Sequence, residues 1–493
     1  MIHWLLAAAV ETSAWDVTQA RGNQYEIDFE TQEGTFMSVD VSPDGQHVIF
    51  DLLAHVYRVP VAGGASECLT AGSGVALNFH PRYSPDGHSI AFVSDRAGQN
   101  NLWIMDADGA NPRQVFHDLM TRVTEPVWTP DGEYVVVSRQ TLSTPRTAGI
   151  WIYHRDGGEG IELVGKDVRR AGWPSLSPDG RYLYYHYSAT SGGEEVDLIR
   201  GGFQLNRLDR QTGETIEIEA GVAQQQYQGS SGGEIAPEVS PDGRYLAFAR
   251  RIPGGTISYK GHRFGPRNAL WLRDLRTGGE RILLDPIEMD AAEGMKTLRV
   301  MPGYAFSRDG KQIFLSRGGR LERLDVATGT PSRIPFTARV RRPVSEMAYG
   351  KISVKSTTFP VRFTRWPSVS PDGRKLAFVA AGKIWIQDLP SGKPRRLTPA
   401  SFGSFELSPA FSPDGAWVTF TSWDDTVGDL WRAPASGGAP EKLSREPAEY
   451  LHPAWSPDGT QIAVARGSGA TQRGRSWSNN LWYDLVRIPS AGG

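Results

Sequence analysis

The chain has 493 residues, with 53 Lys and Arg against 55 Asp and Glu, so its formal net charge is −2. This balance excludes a strongly basic protein that binds nucleic acid through bulk charge. The single cysteine, Cys68, excludes an internal disulfide and a metal site built from cysteines. The 55 glycines and 33 prolines indicate a chain rich in turns.

The N-terminus carries an apolar run from Ile2 to Val10, followed by small residues at Thr12 and Ala14. This pattern predicts a secretory signal peptide over residues 1–14, so the protein would be periplasmic or secreted. The alternative is an ordinary N-terminal strand, because no Lys or Arg precedes the run. Nine apolar residues are too few to cross a bilayer, so no membrane span is expected.

Residues 80–109, HPRYSPDGHSIAFVSDRAGQNNLWIMDADG, contain the unit from which the chain is built. The segment SPDG predicts a tight turn, in which Pro presets φ and Gly supplies a positive φ. The runs SIAFVSD and NLWIMDADG alternate apolar and polar residues, which is typical of strands with one buried face. The unit therefore predicts an antiparallel meander.

The same turn recurs along the chain. Seven copies read SPDG, the variants read TPDG and SRDG, and the spacing of the turn aspartates ranges from 42 to 67 residues. The aspartates are Asp44, Asp86, Asp131, Asp179, Asp242, Asp309, Asp372, Asp414 and Asp458. A period near 42 to 45 residues with about four strands per unit is typical of β-propeller blades. We predict an all-β protein made of four-stranded antiparallel propeller blades.

The unequal spacing predicts domain boundaries. Six repeats would form one propeller over residues 15–340, and three further repeats over residues 341–493 would form part of a second, with a connector at 337–366. A single ring of nine blades is the alternative, although it exceeds the usual four to eight.

The last repeat is expected to be truncated. It runs NLWYDLVRIPSAGG up to Gly493 and stops before the outer strand that other repeats carry. Proteins normally avoid such an open strand edge. One explanation is a fragment of a longer protein, which we favour. The other is that the N-terminal run NQYEIDFET supplies the missing strand.

The repeats resemble those of TolB, the periplasmic protein of the Tol–Pal envelope system. The likeness rests on the SPDG turn and on the segments SDRAGQNNLWIMDADG and SGGAPEKLS. Three further segments resemble the N-terminal region of large exported amidohydrolases, in which TolB-type propellers precede a metal-dependent hydrolase domain. They are WDVTQARGNQYEIDFETQEGTFMSVDVSPDG, DLLAHVYRVPVAGG and ALNFHPRYSPDG.

The amidohydrolase resemblance implies a non-catalytic propeller region that acts in substrate access or protein interaction. A hydrolase domain would follow in the same chain and hold a divalent metal such as zinc, through a His-x-His pair and further ligands. No two of the ten histidines are separated by one residue, so no cofactor is expected here. The alternative is a free-standing TolB-like periplasmic scaffold whose partners are envelope proteins.

Two candidate sites remain within the chain. Ser231 formally fits the pattern G-x-S-x-G, but its polar surroundings argue against a nucleophile elbow. The residue six before each turn Asp should lie at one mouth of the propeller channel, where ligands or partners bind. We call these the rim residues: Ser38, His80, Glu125, Trp173, Ala236, Gly303, Trp366, Ser408 and His452. The candidates among them are His80, Glu125, Trp173, Trp366 and His452. The default interpretation is that they only pack the entry loops, and metal binding by His80 and His452 is a weaker alternative.

Overall fold

A computed structural model describes ten segments of the chain: residues 16–142, 148–165, 170–188, 203–218, 234–252, 267–288, 302–346, 358–424, 427–469 and 483–493. The predicted signal peptide (residues 1–14) and Ser231 lie outside them. Within these segments the only helix is a three-residue 3-10 turn, Ala71–Ser73. None of the described helical structure could therefore cross a membrane.

The strands follow one another in short, evenly spaced units. In chain order the first are β1 (Gln24–Thr31), β2 (Val39–Val41), β3 (His47–Leu52), β4 (His55–Pro60), β5 (Gly64–Cys68), β6 (Asn78–Tyr83), β7 (Ser89–Ser94), β8 (Asn101–Asp106), β9 (Arg113–Gln114), β10 (Thr121–Trp128), β11 (Tyr134–Thr141), β12 (Ala148–His154), β13 (Ile161–Val164), β14 (Arg170–Leu176), β15 (Tyr182–Ser188), β16 (Phe203–Asp209) and β17 (Thr215–Ile218). The next are β18 (Glu234–Val239), β19 (Tyr245–Ile252), β20 (Arg267–Asp274), β21 (Glu280–Glu288), β22 (Ala305–Phe306), β23 (Gln312–Arg317), β24 (Arg320–Asp325), β25 (Pro331–Ile334) and β26 (Phe336–Ser345). The last are β27 (Arg365–Val369), β28 (Lys375–Ala380), β29 (Lys383–Asp388), β30 (Arg395–Arg396), β31 (Phe405–Phe411), β32 (Trp417–Trp423), β33 (Gly428–Pro434), β34 (Glu441–Lys442), β35 (Glu449–Trp455), β36 (Gln461–Gly467) and β37 (Tyr483–Pro489).

These strands form nine antiparallel sheets, one for each turn motif. Sheets one to six are β2–β5, β6–β9, β10–β13, β14–β17, β18–β21 and β22–β25; sheets seven to nine are β27–β30, β31–β34 and β35–β37. A single parallel bridge between Ala148 and Arg170 joins the third sheet to the fourth. The predicted fold class is confirmed: the chain is all-β and built of propeller blades.

The repeated turn folds as its residues predict. In the second sheet the Ser84 hydroxyl donates to Asp86 Oδ1 (2.5 Å), and that carboxylate accepts from the backbone N–H of His88 (3.0 Å). Gly87 has φ +76°, a left-handed conformation that favours glycine. Hydrogen bonds among neighbouring residues therefore hold the turn in this conformation.

The first six sheets close into a ring. The sixth sheet contributes Phe314, Leu321 and Ile334 to the same buried cluster as Val48 and Phe50 of the first. The backbone N–H of Val39 also donates to the carbonyl of Gly303, at 2.9 Å. Burial of apolar side chains between neighbouring sheets is what stabilises a propeller. The division into two propellers remains a prediction, although the first six sheets are joined end to end.

The predicted connector at 337–366 begins with a strand instead. β26 starts at Phe336, lies parallel to β5 and extends beyond the predicted boundary at residue 340. Its side chains alternate, since Phe336, Ala338 and Val340 are buried while Arg339 and Arg341 are exposed. A buried apolar face explains why this stretch adds to the first sheet.

The N-terminal run NQYEIDFET contains β1 and does not supply the missing outer strand of the last repeat, so this alternative was wrong. β1 pairs antiparallel with β26 along its whole length, from Gln24 opposite Ser345 to Thr31 opposite Ala338. The guanidinium of Arg339 makes two bonds to the Asp28 carboxylate, and Arg341 pairs with Glu26. An acidic strand thus meets a basic one, which places β1 on the first sheet.

Candidate functional site

Seven of the nine rim residues, all except Ser38 and Gly303, lie where an inner strand bulges. The pairing between β6 and β7 shifts register between Phe79 and Arg82, and the equivalent shift recurs in six other sheets. His80, Glu125 and Trp173 have φ values of +53°, +56° and +53°, which are unusual for residues other than glycine. Bulges redirect side chains, and here they place these rim groups against the next sheet.

The rim side chains join one sheet to the next by hydrogen bonds. His80 Nδ1 accepts from the backbone N–H of Glu125 (3.1 Å), and Glu125 Oε2 accepts from the backbone N–H of Trp173 (2.9 Å). The Ser138 hydroxyl also donates to Glu125 Oε2, at 2.6 Å. His80, Glu125 and Trp173 are all buried, so these bonds form away from bulk solvent.

The same pattern continues around the ring. His186 Nδ1 accepts from the backbone N–H of Ala236 (3.3 Å), whose carbonyl accepts from the Tyr304 hydroxyl (2.5 Å). Burial lowers the pKa of His186 to about 3, so its ring is neutral at pH 7. The circle closes through Asp51 and Ser38. Asp51 accepts from the backbone N–H groups of Ser38 and His80, and Ser38 Oγ accepts from Gly303.

The rim encloses a narrow constriction. Its cavity measures about 10 Å³ and is lined by rim residues of five sheets together with Arg82. A space of this size holds about one water molecule. The structure thus brings His80, Glu125 and Trp173 together, whereas Trp366 and His452 lie on β27 and β35 and do not line this constriction. Whether the rim binds a ligand stays a prediction.

A second layer of side chains lies below the rim, and the sequence analysis missed it. Arg82 is flanked by two carboxylates, with Nη1 3.7 Å from Asp40 Oδ1 and Nη2 3.7 Å from Glu238 Oε2. Burial raises the pKa values of both carboxyls, that of Glu238 to about 7, although the Arg82 charge acts in the opposite direction. Each of the three stands four residues before a turn Asp, a shared offset that would have identified them.

This layer forms the floor of a wider cavity that reaches the turn-side mouth. The cavity measures about 290 Å³ and shares Arg82 and Val127 with the constriction. Arg308, which replaces the turn Pro in the sixth sheet, reaches across this mouth and donates to the carbonyl of Pro85 (3.1 Å). The channel is therefore wide at one end and nearly closed at the other.

Within the described segments, no three His, Cys, Asp or Glu side chains are grouped so that they could hold a metal ion. The two rim histidines have different environments: His80 is buried in the second sheet, whereas His452 is exposed in the ninth. Asp40, Arg82 and Glu238 provide charged and hydrogen-bonding groups in the channel.

Two propeller families match the chain. Residues 24–217 match the TolB β-propeller domain, and residues 361–482 match the tricorn protease N-terminal β-propeller domain. The chain carries TolB-type and tricorn-type propeller repeats. The resemblance to TolB is thus confirmed at the level of the repeat.

Individual proteins with these repeats are similar over different lengths. Tricorn protease homolog 1 of Streptomyces coelicolor is 26% identical over 447 residues, which cover 87% of this chain and 36% of that protein. A TolB homolog of Chlorobium chlorochromatii is 28% identical over 162 residues, covering 33% of this chain and 31% of that protein. The matched regions thus span about a third of each relative.

The crystal structure of the tricorn protease aligns with 92% of this chain and 43% of its own, at 14% identity and a TM-score of 0.41.

Proposed function

We propose that this chain is the non-catalytic propeller part of a larger exported hydrolase, and that its channel controls access of peptides or related amides. The supporting observation is the shape of the channel, which narrows from about 290 Å³ at the turn side to about 10 Å³ at the rim. The turn-side mouth of such a channel admits the end of an extended chain and excludes folded proteins. Similarity to a tricorn protease homolog over 87% of the chain supports the link to peptide hydrolysis.

The class of hydrolase is part of the proposal. The resemblance of residues 15–87 to exported amidohydrolases favours a metal-dependent hydrolase domain elsewhere in the whole protein, with zinc or another divalent metal bound there. The experiment compares the 493-residue chain with the product of the complete reading frame on a set of short peptides. We expect the shorter chain to hydrolyse none of them and the complete product to lose its activity on metal chelation.

Peptide hydrolysis by the complete product that chelation does not affect would overturn the amidohydrolase class and favour a tricorn-type peptidase. Hydrolysis by the 493-residue chain itself would overturn the non-catalytic role.

Export is proposed from residues 1–14. N-terminal sequencing of the protein from a periplasmic or secreted fraction should begin at Trp15. Retention of Met1 in the cytoplasmic fraction would overturn this part.

A free-standing TolB-like scaffold is the second candidate, which the TolB-domain match over residues 24–217 favours. A reading frame that stops at residue 493, together with capture of defined envelope proteins by the purified chain, would favour the scaffold over the hydrolase.

A further inference from the structure

The cluster formed by Asp40, Arg82 and Glu238 has an imbalance of charge. Two carboxylates face one guanidinium, so the ionised cluster has a net charge of −1. The three side chains come from the first, second and fifth sheets and are mostly buried, with side-chain exposures of 12%, 14% and 15%. Partial burial strengthens the electrostatic interactions of such charges relative to those on an open surface.

The cluster also has unused hydrogen-bonding capacity. Both Arg82–carboxylate separations are 3.7 Å, which is longer than a direct hydrogen bond. The Oε2 atom of Glu238 is fully buried and accepts no hydrogen bond from the protein. Arg82 instead donates to the carbonyl of Tyr304 at 3.1 Å, and Asp40 Oδ2 accepts from the backbone N–H of Tyr83 at 2.7 Å. Carboxylate oxygen therefore remains for a ligand with several N–H donors.

Space for such a ligand lies directly above the cluster. Asp40, Arg82 and Glu238 line the cavity of about 290 Å³, which is close to the lower end of small-molecule sites. A metal ion is disfavoured, because the described residues provide no third acidic or histidine ligand here. A primary ammonium group suits the site, since its three N–H donors can bond to carboxylate oxygens without the full set of ligands that a metal ion needs.

We propose that Asp40 and Glu238 bind a protonated primary amine in the channel, and that this amine is the N-terminal ammonium group of a short peptide. The choice of a peptide rests on the proposed function, whereas the ammonium site rests on the cluster alone. Arg308 at the mouth places a positive charge further along the ligand, where a peptide presents carbonyl oxygens and its carboxylate.

The test uses the 493-residue protein at pH 8 and titrates it with tetra-alanine by calorimetry. N-acetyl tetra-alanine, which lacks the ammonium group, should bind at least about 10-fold more weakly, the loss expected for charge-assisted hydrogen bonds. Asp40→Asn and Glu238→Gln should each weaken binding of the free peptide by about 10-fold. The control Glu217→Gln, an exposed carboxylate on β17, should leave binding unchanged.

Other probes separate the remaining outcomes. Binding of 1,4-diaminobutane as tight as that of the peptide would keep the ammonium site and overturn the peptide as its source. Equal binding of the free and acetylated peptides, or calcium binding that amines do not displace, would overturn the site. Thermal unfolding of each variant checks that it is folded. Hydrolysis by the complete product is measured separately, so loss of this site and loss of the proposed function are distinguishable.

Discussion

His80 Nδ1 accepts a hydrogen bond, 3.1 Å long, from the backbone N–H of Glu125, the residue at the equivalent position of the next repeat. Glu125 accepts in turn from the backbone N–H of Trp173 in the fourth sheet. Side chains at one repeated position thus hold consecutive sheets in register at the centre of the ring. This relationship explains why a polar residue can be buried at such a position.

Glu125→Ala tests this coupling. It removes the acceptor for the Trp173 N–H and the Ser138 hydroxyl, and leaving buried donors unsatisfied costs about 1–3 kcal/mol each. We expect a comparable loss in the free energy of unfolding, measured by urea denaturation. Glu125→Gln keeps one acceptor oxygen and should cost less, and Glu159→Ala, an exposed control, should cost almost nothing. Equal losses for Glu125→Ala and Glu159→Ala would contradict the coupling.

His186 should make the protein sensitive to acid. Its pKa is lowered to about 3 by burial, against about 6.5 in the unfolded chain, so the unfolded state binds more protons between these values. The stability that depends on neutral His186 is fully present above pH 6.5. It decreases as the pH falls, by about 2 kcal/mol at pH 5. His186→Gln should remove this part of the acid sensitivity. A control, His88→Gln, changes an exposed histidine and should retain the full pH dependence.

Glu238 should make the protein less stable as the pH rises, which is the opposite of the effect of His186. Its pKa is raised to about 7 by burial, from about 4.5, so the folded state binds more protons and stability falls as pH rises through this range. Glu238→Gln removes the buried charge and should stabilise the protein at pH 8 by roughly 3 kcal/mol. Below pH 4.5 the variant and the natural protein should unfold alike. Thermal unfolding at both pH values measures the difference, and destabilisation at pH 8 would contradict the argument.

Gly87→Ala tests the repeated turn. The residue has φ +76°, and a Cβ atom there would lie 3.3 Å from Pro43 Cδ. We expect a loss of about 1 kcal/mol or more in unfolding free energy. Gly72→Ala is the matched control, because Gly72 has no left-handed φ and open space around its Cβ position. The turn assignment fails if both variants unfold at the same urea concentration.

The blades could be predicted because their determinants are local. The bonds between Ser84 and Asp86 span two residues, so a four-residue pattern is enough to define the turn. β26 could not be assigned in this way. Its three arginines suggest a solvated connector until the acidic β1 is found beside it, in a segment distant along the chain.

The channel site was only partly predictable for a similar reason. The rim positions followed from a fixed offset before each turn, and three of the five candidates do meet around the constriction. Arg82 and Glu238 belong to sheets that are not neighbours in the ring. Their proximity arises only when six blades close, which no single repeat encodes.

The pairing of β1 with β26 has a consequence for synthesis on the ribosome. The Asp28–Arg339 ion pair joins residues 311 positions apart. At about 5–20 residues per second, the nascent β1 waits roughly 15–60 s for its partner. Tyr25 and Phe29 remain partly exposed even in the folded protein, so this waiting strand offers an apolar, unpaired edge to other chains. A chaperone that stays bound to the N-terminus during synthesis would therefore protect the first blade from such pairing more than any later blade.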